Sequence, residues 1–333
     1  MNSAHDVPAY HGGDLQNAEA LFGRPSAGWL DLSTGVNPES YPNTAVDDTS
    51  WQRLPQQQSM EALMAAARRY YRVPDTTEIT VAPGSQSVLQ HLPTLFEACR
   101  VAVIGPCYAE HEKTWSACGH VVETVEKIAD TDGADIVVVV NPNNPDGRTF
   151  SASTLLDLAR RQTQRNGLLV IDEAFADVDP DVSLIPELSD ESALVIRSFG
   201  KFFGLPGLRL GFAVSKNRIV SQLERRLGPW PVSGAALEIG ARALSDNTWI
   251  DAVRARLATR CNALDQVLRA ADLNIIGGTA LFRLIESDNA PRVFEQLGRA
   301  GIFVRMFPER PSWLRIAVPG SDNDLRRLEN ALR

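Results

Sequence analysis

The stretch Asp135–Val140, DIVVVV, limits the possible folds more than any other part of the sequence. A strand with one face in water alternates apolar and polar residues. An unbroken β-branched run requires cover on both faces, which is the situation of a parallel sheet flanked by helices. The same texture returns at Leu168–Ile171 (LLVI) and Ala193–Ile196 (ALVI), and shorter versions open EITVAP (from Glu78), RVAVIGP (from Arg100) and LRLGFAVS (from Leu208). Between them lie segments of helical period: Ser85–Ala98, read as one helix despite Pro93, then Tyr108–Gly119, and Ser151–Gly167, which ends on glycine. Strand–helix alternation at this spacing predicts a doubly wound α/β body with a mostly parallel sheet.

The flanks differ. Residues 1–50 are rich in Pro, Asn, Asp and Ser and read as an extended arm; 59–72 has strong helix formers in helical period. From about Trp230 come helical stretches and then short strand candidates, LNIIGG, TALFRLIE, IFVRMF and WLRIAVP, the pattern of a smaller α+β domain. The expected organisation is an arm over 1–47, a large α/β domain over 48–229 and a small α+β domain over 230–333, and 333 residues with 44% hydrophobic content suffice for it. A net charge of −8 argues against nucleic acid or an anionic membrane as main partner, so an anionic ligand would need basic residues gathered locally. The start lacks the basic-then-apolar pattern of a secretory leader, and no apolar run is long enough to span a bilayer. Cys99, Cys107, Cys118 and Cys261 lack paired metal-ligand spacing, which points to reduced thiols in a cytoplasmic protein without a bound metal.

In an open α/β sheet, ligands sit beyond the carboxyl ends of the strands. Four polar clusters fall there: PGSQS after ITVA, NPNNPDGR after DIVVVV, DEAF after LLVI, and SFGK after ALVIR. Each has an ordinary reading alone: Asn-Pro and Asp-Gly punctuate turns, Asp172 caps a helix, Lys201 is a surface lysine. Together they describe one chemistry. A desolvated lysine amine forms a Schiff base. A pyridinium cofactor needs an acid on its ring nitrogen to act as an electron sink. An asparagine donates to a phenolate oxygen. A Gly-Ser turn opening a helix offers N–H groups to phosphate. The cofactor with these demands is pyridoxal 5'-phosphate.

On NPNNPDG, DEAF and SFGKFFGLPGLRLG the chain resembles the fold-type I pyridoxal-phosphate enzymes, from the arm to the C-terminal domain. The resemblance implies that Lys201 carries the Schiff base, Asp172 pairs with the pyridine nitrogen and Asn144 bonds the phenolate oxygen. Ser198 and Arg209, with Gly84, Ser85 and Gln86, would hold the phosphate. Tyr108 stands where relatives stack an aromatic on the ring. It also implies a homodimer. Two positions depart from the pattern: Phe175 replaces a tyrosine that bonds the phenolate oxygen in many aminotransferases, and Leu54 replaces one that reaches the partner subunit's phosphate.

The N-terminal HGGDLQNAEALFG and LDLSTGVNP, with DEAF, resemble the threonine-phosphate decarboxylases of the cobalamin pathway, relatives of the histidinol-phosphate aminotransferases. That implies decarboxylation of L-threonine O-3-phosphate to (R)-1-aminopropan-2-ol O-2-phosphate. Such a substrate carries two anionic groups, and bidentate arginine suits both. Arg315 matches the family's anion-binding arginine and Arg305 is the second candidate, with His11, Gly12, Gly13 and Asn37 from the arm. The rivals are a histidinol-phosphate-type aminotransferase and, in another class, a non-catalytic module binding the same cofactor.

Overall fold

The computed structural model describes residues 12–42, 44–216 and 218–333, so His11 lies outside the described residues. Its strands, in chain order, are β1 (Leu30–Leu32), β2 (Glu78–Ala82), β3 (Arg100–Ile104), β4 (Val121–Val125), β5 (Ile136–Val140), β6 (Leu168–Asp172), β7 (Ala193–Ser198), β8 (Gly211–Ser215), β9 (Asn274–Thr279), β10 (Phe282–Glu286), β11 (Ile302–Met306) and β12 (Trp313–Ala317). By packing, the chain divides into two bodies: residues 39–253, and residues 12–38 with 254–333.

The larger body holds a seven-stranded sheet in the order β2-β8-β7-β6-β5-β3-β4. Only β8 runs against the others, so the sheet is mostly parallel, as the valine runs predict. Every residue of β5, β6 and β7 is buried. A core of Val101, Val103, Ile136, Val138, Val170 and Ile196, among others, packs against Val88, Leu92 and Trp115 of the covering helices. Ser151 starts the helix Ala152–Gln164 by accepting from Thr154 N, one of the donors a helix start leaves over.

The structure departs from the sequence reading in two elements of the larger body. The helix from Ser85 stops at His91 and continues as a 3-10 turn, Leu92–Leu95, because Pro93 has no N–H for an α-helical bond. The edge strand β4 escapes the sequence reading, since it is largely exposed and carries Glu123 and Thr124 rather than an apolar run. By packing, the chain divides after Pro38 and after Val253. Residues 39–47 and 230–253 pack with the larger body, the latter because the helix Gly234–Ser245 lies along Gln57–Tyr70, with Gly240 against Leu63 and Leu210. The arm up to Pro38 belongs with the smaller body, where β1 pairs in parallel with β11. That body's sheet runs β1-β11-β12-β10-β9, with a core that includes Leu32, Leu264, Leu268, Val304, Leu314 and Ile316.

A charge cluster is buried where β6 and β7 meet. Arg197 donates to Glu173 Oε2 at 2.7 Å and to Asp177, under the ring of Tyr71 4.6 Å away. Glu173 also accepts from Ser183 Oγ at 2.6 Å and Leu184 N at 2.7 Å. Burial works against the guanidinium's charge, but Asp177 and Glu173 outweigh it and hold Arg197 protonated. Replacing one member strands the others. Arg197→Met is expected to destabilise the protein by about 3–5 kcal/mol in urea unfolding, whereas an exposed ion pair such as Arg299–Glu295 is expected to contribute about 1 kcal/mol or less.

Candidate active site

The carboxyl ends of β2, β3, β5, β6 and β7 converge on one edge of the larger body's sheet, and most of the sequence-predicted residues sit on the turns that leave them. Asp172 is the last residue of β6 and 4% exposed. Its Oδ2 lies 3.0 Å from His111 Nε2, and its Oδ1 accepts from Ala174 N at 3.0 Å. A buried carboxylate is stable only with such partners. His111 is 1% exposed and was not singled out in the sequence; its signal was its place three residues after Tyr108, on the same face of the turn into Glu110–Ala117.

The Asn-Pro loop is tied to the same edge. Val140 pairs with Asp172 in register, and Asn141 N donates to Asp172 O at 2.8 Å. Asn143 Nδ2 donates to Pro106 O at 2.9 Å, and Arg148 Nη2 to Gly105 O at 2.7 Å, stitching this loop to the one that carries Tyr108. Asn144 is half-buried on the loop so fixed. Tyr108 donates its hydroxyl to Gln86 Oε1 at 3.2 Å. Gln86, expected to serve through its backbone, thus also uses its side chain to hold Tyr108.

Lys201 is half-buried on the short turn after β7, with Nζ 5.7 Å from the ring centroid of Phe175, three residues beyond Asp172. Ser198 ends β7 opposite Gly211 of β8, and Gly211 also pairs with Ala82 of β2. That register brings Gly84–Gln86, Ser198 and Arg209 together. Arg209 takes a left-handed conformation (φ 54°, ψ 58°) and donates to Pro206 O at 3.0 Å. At Gly84 (φ 82°), a Cβ would stand 2.5 Å from Arg209 Nη2, so only glycine lets the turn and the guanidinium share the space. The result is a cradle of backbone N–H groups, a hydroxyl and a guanidinium, the donor set of a phosphate site.

Cys107 sits beside Tyr108 on the turn after β3. Burial pushes its thiol up to about 12, and the negative charge of Asp172 adds to this.

In the smaller body a second constellation forms around Ser33. Arg315, 7% exposed on β12, donates to Ser33 O at 2.8 Å, and its guanidinium lies 5.1 Å from the Phe282 ring centroid. Gly13 N donates to Ser33 Oγ at 2.7 Å, and a Cβ on Gly12 would meet Ser33 O at 2.4 Å. Asn37 is 2% exposed on the same segment. Arg305 of β11 pairs with Arg315 in register, so the two side chains share one face of the sheet. Like charges directly opposite each other on neighbouring strands repel, and an anion on that face would relieve the repulsion. Ser33, which links the arm to Arg315, escaped the sequence reading because a lone serine carries no spacing signal.

A family model described as aminotransferase class I and II matches residues 29–332. Over 98% of both chains this sequence is 42% identical to a threonine-phosphate decarboxylase of Sinorhizobium sp.. It is 38% identical to one from Pseudomonas aeruginosa, over 97% of this chain and 96% of that one. A histidinol-phosphate aminotransferase from Sinorhizobium meliloti, solved in complex with pyridoxal 5'-phosphate, shares the fold at a TM-score of 0.80 and 19% identity, over 100% of this chain and 97% of that one.

The thiols offer a direct check on the site's packing. In the native protein at pH 8, a disulfide reagent such as Ellman's is expected to react with exposed Cys118 well before half-buried Cys107, whose raised thiol slows it. Gly84→Ala is expected to lower stability by about 1–3 kcal/mol in urea unfolding, from backbone strain and the displaced Arg209.

Proposed function

Given that this chain belongs to the aminotransferase class I and II family, we propose that it is a pyridoxal-phosphate enzyme that decarboxylates L-threonine O-3-phosphate to (R)-1-aminopropan-2-ol O-2-phosphate, in cobalamin biosynthesis. The observation that carries the cofactor assignment is the pairing of buried Asp172 with His111 at the strand edge that also bears Lys201 and the Gly84–Arg209 cradle. The donor set fits the group: one amine, one buried carboxylate, one amide and one phosphate cradle. The two relatives named threonine-phosphate decarboxylase support the substrate, as does the Arg305–Arg315 pair, whose two charges match a substrate with two anionic groups.

When bound, pyridoxal phosphate supplies an electron sink for the bond broken at the substrate's α-carbon. The chain's own residues do the rest. Lys201 Nζ would hold the cofactor. Asp172 keeps the ring nitrogen protonated, and His111 Nε2 fixes the carboxylate for that purpose. Asn144 donates to the phenolate oxygen, and Phe175 brings no hydroxyl to share that bond. Tyr108, anchored by Gln86, covers the ring. Ser198, Arg209 and the backbone at Gly84, Ser85 and Gln86 take the cofactor phosphate. Arg305 and Arg315, with Gly12, Gly13, Asn37 and His11, hold the substrate's carboxylate and phosphate, and so decide which α-carbon bond is cleaved. The proton that replaces CO2 on the α-carbon would come from Lys201 Nζ or from water.

We also propose a homodimer. Trp51 (66% exposed), Leu54 (60%) and Trp230 (54%) are large apolar side chains in water, and Ser50 packs its backbone against Gly234, which joins the two segments. Such a patch marks a protein interface. A cytoplasmic setting is supported by four free thiols. No helix among the described residues is long and apolar enough to cross a membrane.

Purified protein with cofactor and L-threonine O-3-phosphate, without a keto acid, is expected to release CO2 and the amino-alcohol phosphate. Conversion of the cofactor to its amine form by histidinol phosphate, with no CO2 from threonine phosphate, would establish the aminotransferase instead. Arg315→Met is expected to lower kcat/KM about 100-fold or more, as loss of a bidentate anion contact does. Trp51→Glu with Trp230→Glu is expected to convert a dimer to monomer in sedimentation equilibrium.

A further inference from the structure

The turn that carries Lys201 is one helical turn, Phe199–Phe202, too short to hold its own shape. Its neighbours supply the shape. Phe199 and Phe203 stack at 4.3 Å, with their planes 9° apart. Trp249, in the first turn of the helix Asn247–Ala270, stacks on Phe203 at 5.7 Å and 15° and meets Phe202 edge-on at 5.9 Å. Tyr41 sets its ring perpendicular to Trp249 at 5.2 Å.

The backbone leaving the turn is held by the same pair of segments. Tyr41 N donates to Phe203 O at 2.9 Å, and Ser40 Oγ to Gly204 O at 2.7 Å. The Tyr41 hydroxyl reaches Asp246 Oδ2 at 3.4 Å, while Asp246 Oδ1 accepts from Trp249 N at 3.0 Å. The contacts therefore close on themselves, from Tyr41 to Phe203, to Trp249, to Asp246 and back to Tyr41. Tyr41 is 3% exposed, so its ring has no freedom to leave.

We propose that Tyr41 and Trp249 are positioning residues for Lys201, and that this closed strap sets the direction in which the lysine leaves its turn. The inference rests on Lys201 being the cofactor-holding lysine. The residues bound by the strap, Phe199, Phe202, Phe203 and Gly204, bracket Lys201 on both sides. A single turn so bracketed cannot tilt without breaking a stack or a carbonyl bond. Phe199 N also donates to Leu210 O at 3.2 Å, so the strap adds to an anchor on the turn's first residue and is the hold on its exit. Misplacing a reacting nitrogen by about 1 Å costs up to about 100-fold in rate, so a positioning strap belongs in the rate and not in substrate affinity.

The test uses the cofactor-loaded protein with Trp249→Ala, Trp249→Phe and Ser40→Ala. Three quantities are read: the pH midpoint of the visible band of the lysine-bound cofactor, kcat, and KM for threonine phosphate. Trp249→Ala and Ser40→Ala are expected to move the midpoint by about half a unit or more. They are expected to lower kcat about 10-fold with KM within about twofold, and Trp249→Phe to restore most of both. A wild-type midpoint and kcat in Trp249→Ala, with only a lower melting temperature, would reduce the strap to structural packing and overturn the proposal. Where Trp249→Ala does not fold, Ser40→Ala, which removes one hydrogen bond and keeps every ring, decides by the same criteria. A wild-type protein with no visible band that depends on Lys201 would overturn the cofactor reading, and the strap's role with it.

Discussion

The junction of β6 and β7 is the constraint on which the rest of the site depends. Successive residues of a strand point to opposite faces, and these two strands end on charged or polar pairs: Asp172 then Glu173, Arg197 then Ser198. Glu173 and Arg197 meet each other, while Asp172 meets His111. The buried ion cluster therefore fixes the register of the two strands from the face opposite Asp172. Slipping the register by one residue would exchange the two sets, putting the structural charges in the site and the site's carboxylate in the core. A single alternation rule is thus used twice, once for stability and once for function.

The division of labour follows from what each body can offer. The larger body presents strand ends, where backbone groups, a hydroxyl and a buried carboxylate can be held rigidly. The smaller body presents a sheet face on which the antiparallel pair β11–β12 sets two long cationic side chains side by side. Rigid strand ends suit a cofactor whose ring must be held at fixed points. Arginines on a sheet face suit a substrate with charges at two ends. The chain is acidic overall, so the Arg305–Arg315 face contrasts strongly with its surroundings.

Much of this was legible in the sequence. The uninterrupted valines of β5 declared a covered sheet, and polar clusters at strand ends declared the site, because both signals are local and rest on residue type. Those clusters contain Lys201, Asp172 and Asn144, while the roles expected of them, and of Arg209, come from the resemblance to the fold-type I enzymes. His111 was not, since a histidine inside a helix looks alike whether it faces water or a carboxylate. Ser33 was not, since its role is a carbonyl and a hydroxyl that Arg315 and Gly13 reach across the fold. The helix that stops at His91 was misjudged because a proline's missing donor was weighed against a helical period that ran on past it. The arm's placement beside β11 is a long-range pairing, and no local pattern encodes which distant strand a three-residue segment will join.

Cys107 has a consequence of a different kind. Thiolates add readily to aldehydes, and the proposed cofactor is an aldehyde that must be reserved for an amine. With its thiol pushed up to about 12 by burial and, secondarily, by Asp172, Cys107 stays in the thiol form at neutral pH. Asp172 thus adds its charge to the burial that keeps the neighbouring sulfur protonated.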